Sequence, residues 1–146
     1  MRKLKRFLRM PLRDQALMLQ AAAVVLSVRL VLSLVPFRVW RPLIQQRLAP
    51  APGGQHDKAT VARVVAAVLW VSRYVPRASC LTQGLATQLL LSWRGYPTQL
   101  RIGVARGAGG QFQAHAWVEW QGTVIIGGAD ELVRFVVLPV EKKQAS

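Results

Sequence analysis

The feature that most constrains this chain is a change of period at Pro97. Before it, apolar residues recur at helical spacing. Val61, Val64, Val65, Val68 and Leu69 form one stripe, and Leu81, Leu85 and Leu89 form another. After it the pattern alternates, with Leu100, Ile102 and Val104 set against Gln99, Arg101 and Gly103. Spacing of 3.6 puts apolar groups on one side of a helix, and spacing of 2 puts them on one face of a strand. A helical half followed by short strands joined by turns predicts an α+β fold with an antiparallel sheet.

Punctuation residues divide the chain further. Asp14 to Val35 reads as one long helix, stopped by Pro36. A short helical piece, PFRVWRPLIQQRL, leads into a polar Pro/Gly-rich connector, APAPGGQHD. His56 lies in this connector and is expected to be a solvated loop residue. Asp57 can cap the helix KATVARVVAAVLWVSRYV, which Pro76 ends. A third long helix is expected from Ser79, as its N-cap, to about Trp93, with Gly95 and Pro97 closing it. Leu81, Leu85 and Leu89 are its predicted buried face. TQLRIGVA, QFQAHAWVEW, TVIIGG and LVRFVVLPV are the expected strands, with Gln121-Gly122 a two-residue turn. Residues 1–50 then form a helical segment packed on a core of residues 57–146, one compact domain overall.

Charge narrows the partners without naming one. The 146 residues carry 20 Lys+Arg against 6 Asp+Glu, a net charge of +14. This favours acidic partners in general. No zinc motif and no RNA-recognition signature accompanies the charge, so nucleic acid is not expected. An apolar content of 52% excludes a disordered chain. The densest basic run is MRKLKRFLR at the start. A signal peptide fits poorly, because Pro11, Arg13 and Asp14 separate that run from the apolar one. Gln20 and Arg29 interrupt a membrane span, and an arginine near a span centre costs about 2.5–3.5 kcal/mol. The segment is therefore expected to be a mostly buried helix whose few polar residues reach solvent. Contact of the basic N-terminus with a membrane is the alternative. A cytoplasmic location, with or without membrane association, is the expectation.

Chemistry concentrates at one cysteine and one histidine. Cys80 is the single cysteine, which excludes an internal disulfide and a Cys-rich zinc site. Neither a metal nor a cofactor is expected. Cys80 stands at a predicted helix start, where the amide groups and the positive end of the dipole stabilise a thiolate. Gly84 and Thr87 continue its face and are small enough for another element to approach; the leucines pack elsewhere. The competing possibility is a small buried apolar cysteine. His115 is the natural base, on a strand with Trp117 and Glu119 on the same face. Glu119 is roughly 13 Å along that strand, too far to orient the imidazole. With a two-residue turn at Gln121-Gly122, Trp120 opposes Thr123 and His115 opposes Gly128. Asp130 is then a diagonal neighbour and the candidate third member; as a residue of GGADE it also fits an exposed turn. A one-residue slip would turn it away. For an oxyanion, the Cys80 N–H is a donor, and Gln83 is a weaker candidate.

ASCLTQGLATQLLLSWRGYPTQLRIGVARG followed by FQAHAWVEWQG resembles the lasso-peptide leader peptidases of the transglutaminase-like superfamily, relatives of the microcin J25 processing protease. The shared motifs are CL at a helix start, a leucine-rich helix ending in RG, an RIGV strand and F-x-AHAWVE-x-x-G. The resemblance implies a transglutaminase-like, papain-like cysteine protease core with Cys80 as nucleophile and His115 as base. It implies removal of the leader from a ribosomally made precursor peptide, whose core then passes to a macrolactam synthetase. The family often carries an acidic residue on the strand after the histidine. Here that strand reads VIIGG, which leaves Asp130 as the substitute. Without room for a leader-binding domain in this chain, a separate leader-recognition protein in trans is expected. The alternative function is a non-catalytic transglutaminase-like module bound to a membrane or an acidic partner.

Overall fold

The computed structural model describes residues 1–36, 38–39, 56–107, 109–128 and 136–137. Four helices precede a sheet among these residues: α1 (Arg2–Leu8), α2 (Leu12–Leu34), α3 (Lys58–Ser72) and α4 (Cys80–Ser92). The strands are β1 (Thr98–Arg106), β2 (Phe112–Trp120), β3 (Thr123–Ile126) and β4 (Val136–Val137), in the order β3-β2-β1-β4. All neighbouring pairs are antiparallel. The expected α+β architecture is therefore present. The piece PFRVWRPLIQQRL beyond residue 39, most of the connector, and Asp130 lie outside the described residues.

Local chemistry explains the helix ends. The Asp57 carboxylate accepts from the Ala59 N–H at 3.0 Å and opens α3. The Ser79 hydroxyl accepts from the Thr82 N–H at 3.3 Å and opens α4. Gly95, at φ +80°, lets the chain leave α4, and the Tyr96 N–H reaches back to the Leu91 carbonyl. His56 is not a solvated loop residue. Its Nε2 lies 2.9 Å from the Gly95 carbonyl and its ring meets Tyr96 edge-on, so the connector is pinned to the end of α4.

One core joins the helices to the sheet. Val25 of α2, Val64 and Val68 of α3, and Leu85, Leu90 and Leu91 of α4 are buried with Val118, Trp120 and Ile126 of the strands. Each fully buried aliphatic side chain contributes roughly 1.5–3 kcal/mol. The buried face of α4 differs from the leucine stripe: Thr82, Ala86, Thr87 and Leu90 are buried with Leu85, while Leu81 and Leu89 are only partly covered. Gly84 is the closest approach. A Cβ there would stand 2.9 Å from Leu100 Cδ1 and 3.6 Å from Val118 Cγ2.

α2 is not the mostly buried helix expected, while its polar groups do remain partly exposed. Its polar groups turn to other elements: Asp14 pairs with Arg63, Gln20 accepts from Arg94 at 2.6 Å, and Arg29 donates to the Pro76 carbonyl at 3.4 Å. Arg94 also donates to the Leu90 carbonyl, and burial, then the nearby Arg63, lowers its pKa from the ordinary value. Leu12, Leu19, Leu26, Leu30 and Leu34 face outward, each more than half exposed.

Because α4 touches the sheet through Gly84, Gly84→Val is expected to destabilise the fold by about 1–3 kcal/mol through overpacking. Gly84→Ala should change stability little. Alanine gains up to about 1 kcal/mol of helix propensity and need displace only the end of Leu100. Urea denaturation midpoints of the two variants check this.

Candidate active site

Cys80 is the first residue of α4 and is partly exposed. The first amides of a helix have no intrahelical acceptor, and the Ser79 hydroxyl takes only the Thr82 N–H. The first turn holds no acidic side chain to cancel the positive end of the dipole. Gly84 lies one turn further on the same side of the helix, so Cys80 belongs to the side of α4 that faces the sheet.

His115 lies on β2 opposite Gly103 of β1, where no side chain competes for space beside the ring. Its imidazole stacks on Trp117, with ring centroids 6.3 Å apart and planes 24° from parallel. Nε2 is 2.5 Å from the Gly127 carbonyl oxygen. A carbonyl can only accept, so Nε2 carries the proton. In the neutral ring Nδ1 is then the basic nitrogen.

A backbone carbonyl that the sequence pattern does not single out thus bonds the histidine. The β2–β3 register explains how it arrives there. Trp120 opposes Thr123 as expected, but the pairing then shifts: Glu119 opposes Val124 and Val118 opposes Ile126. Ile125 is the extra residue of a bulge. This one-residue slip removes the predicted His115–Gly128 register and carries Gly127 against β2. Gly127 has φ +106°, and a Cβ on it would stand 2.6 Å from Trp117 Cβ. Only glycine fits such a backbone conformation and approach. The signal was present in sequence as the Gly-Gly pair closing VIIGG.

Glu119 is committed elsewhere. It accepts from Trp117 Nε1 at 3.1 Å and pairs with Arg101 at 3.4 Å. Asp130 is outside the described residues. Cys80 and His115 belong to adjacent layers, and among the described residues no hydrogen bond joins them. Leu100 and Val118 point at Gly84 of α4. Strand alternation therefore directs His115, Trp117 and Glu119 to the other face of β2. Among the described residues, no group of three His, Cys, Asp or Glu side chains could hold a metal ion. A groove of about 670 Å³ runs between α3 and the β2–β3 turn, lined by Val61, Val65, Leu69, Trp120 and Ile125 with Lys58 at its rim. Trp120 is five residues from His115, roughly 16 Å along the strand, so the groove is remote from the imidazole.

A helix opened by a cysteine and packed on an antiparallel sheet, with a histidine on a central strand, describes an α+β domain. The chain belongs to the transglutaminase-like superfamily, whose family model matches residues 22–140. This superfamily includes cysteine peptidases. No curated protein and no solved structure matches the chain.

Gly127→Ala is expected to cost about 1–3 kcal/mol, because alanine is strained at this φ and meets Trp117. It should also release the ring. In the wild type, ¹⁵N-correlated spectra of the neutral His115 imidazole should show the proton on Nε2. In the variant the two tautomers should mix. A wild-type ring protonated on Nδ1 would contradict the assignment.

Proposed function

We propose that this protein is a cysteine peptidase that removes the leader from a lasso-peptide precursor. The observation that carries the reading is the His115 Nε2–H···O=C bond to Gly127, which sets a strand imidazole in the tautomer a thiol partner requires. The capped start of α4 at Cys80 supports it, as do the motifs from ASCL to HAWVE. In the reaction, Nδ1 of His115 takes the thiol proton. Cys80 Sγ attacks the scissile carbonyl, and the oxyanion accepts from the Cys80 N–H. The imidazolium returns its proton to the leaving amine as the C–N bond breaks. Water, deprotonated by the same nitrogen, then releases the leader from the thioester and restores the thiol.

The face on which His115 lies adds a requirement. A cleavage-competent state must bring Nδ1 to Cys80 Sγ while the Gly127 carbonyl still holds Nε2–H. A separate leader-recognition protein would supply the precursor, and a macrolactam synthetase would consume the freed core peptide. Asp130 stands as the candidate third member, reinforcing the imidazolium that Gly127 orients. The second reading, a non-catalytic module, is favoured by the one observation that Cys80 and His115 are not hydrogen-bonded here.

Cleavage of a precursor in the presence of the recognition protein distinguishes the two. Cys80→Ala and His115→Ala should each lower the rate by more than about 10³-fold. Glu119→Gln should leave it within about threefold, since Glu119 serves Arg101 and Trp117. Retained cleavage in either of the first two variants rejects the peptidase. Iodoacetamide labelling of Cys80 near neutral pH should slow in His115→Ala; equal rates would favour the non-catalytic module.

A further inference from the structure

The outward face of α2 has no use in the chemistry above. At about 100° per residue, Leu12, Ala16, Leu19, Ala23, Leu26, Leu30 and Leu34 fall within an arc of about 80°. All seven are exposed, and none is polar. The opposite side of the helix, Ala21, Val24, Val25 and Val28, is buried against the core. The stripe runs for about 33 Å at 1.5 Å per residue. Helix α1 continues the pattern, with Leu4 and Leu8 exposed one turn apart and no buried residue.

Charge indicates what covers this stripe. Arg2, Lys3, Lys5, Arg6 and Arg9 precede it and Arg13 follows its first leucine, with no acidic residue among them. The first carboxylate, Asp14, is paired with Arg63. Gln15 holds the corner between the helices by donating to the Met10 carbonyl at 2.9 Å. The Lys3 ammonium lies 5.3 Å from the Tyr74 ring centre, which sets α1 beside the exposed pair Trp70 and Tyr74. Leucines in a row, a basic helix and paired aromatic rings at its side are the elements of an interfacial membrane site. A second copy of the chain would bring the same positive helices together, with no acidic partner along the stripe to relieve them.

We infer that α1 and α2 dock this protein on an anionic bilayer surface. α2 lies in the plane of the interface with its leucine stripe toward the acyl chains. It is long and apolar enough to span a membrane. Spanning would tear Ala21, Val24, Val25 and Val28 from the core, so it lies on the surface instead.

Flotation of the full chain with phosphatidylglycerol–phosphatidylcholine vesicles, against phosphatidylcholine alone, tests the site. Binding is expected only with the anionic lipid and should weaken with salt. Leu19→Gln, Leu26→Gln and Leu30→Gln together should lower it by roughly tenfold or more, with unchanged circular dichroism. Lys5→Gln, Arg6→Gln and Arg9→Gln change exposed residues and should remove the salt-sensitive part. Failure of the wild type to float overturns the inference, as does equal flotation of the charge variant. A lipid-free dimer in sedimentation that the leucine variant converts to monomer, without vesicle binding, would assign the stripe to a second copy.

Discussion

The contact of α4 with β1 and β2 at Gly84 is the constraint on which the rest of the structure depends. Without a side chain there, the helix settles until Leu100 and Val118 meet its backbone. Leu85, Leu90 and Leu91 then fill the space around the contact, and α2 and α3 close over it. Cys80 is one turn away on the same side. A larger residue at position 84 would lift the whole N-terminal turn, because a close-packed interior transmits such a displacement rather than absorbing it. Core packing and the placement of the thiol are therefore one requirement.

What the sequence disclosed follows the range of the interactions involved. The period change at Pro97, the Asp57 and Ser79 caps and the Gln121-Gly122 turn are local, and each is found where the pattern puts it. The small face of Cys80, Gly84 and Thr87 was legible because the absence of bulk is itself a signal. The buried face of α4 was not, since a leucine count overlooks Thr82 and Ala86. The cross-element partners of α2's polar groups were also hidden. Asp14, Gln20 and Arg29 find partners 47 to 74 residues away, and no local pattern announces them. His56 is a similar case, held by residues 39 positions on. α1 has too few residues for a period to register.

The bulge at Ile125 is the instructive miss. A two-residue turn alone would set every later pair, but one extra residue shifts the register and brings the Gly127 carbonyl to His115. Bulges beside functional sites commonly re-aim a group in this way. A carbonyl does part of what a carboxylate does. It fixes the tautomer and the plane of the ring, yet it stabilises an imidazolium less than an ionised acceptor would. In the proposed peptidase the glycine carbonyl can therefore orient the base without supplying the charge. That division makes the charge of a nearby acid separable from orientation, and is the chemical reason Asp130 keeps a role in the proposal.

The outward leucines of α2 pose a different kind of question from the buried ones. A leucine exposed in both the folded and unfolded chain adds nothing to folding stability. The stripe is therefore neutral for the fold and unfavourable for solubility. On the inner face Ala21, Val24, Val25 and Val28 pack together with the partly buried Leu17 and Leu32, and the flanking Asp14, Gln20 and Arg29 are bonded across the seam. Because α2 packs directly on α4, and Gln20 is bonded to Arg94 just past the end of that helix, the two form a common block. A surface that covers the stripe thereby fixes the orientation of α4, and of Cys80 with it, relative to that surface.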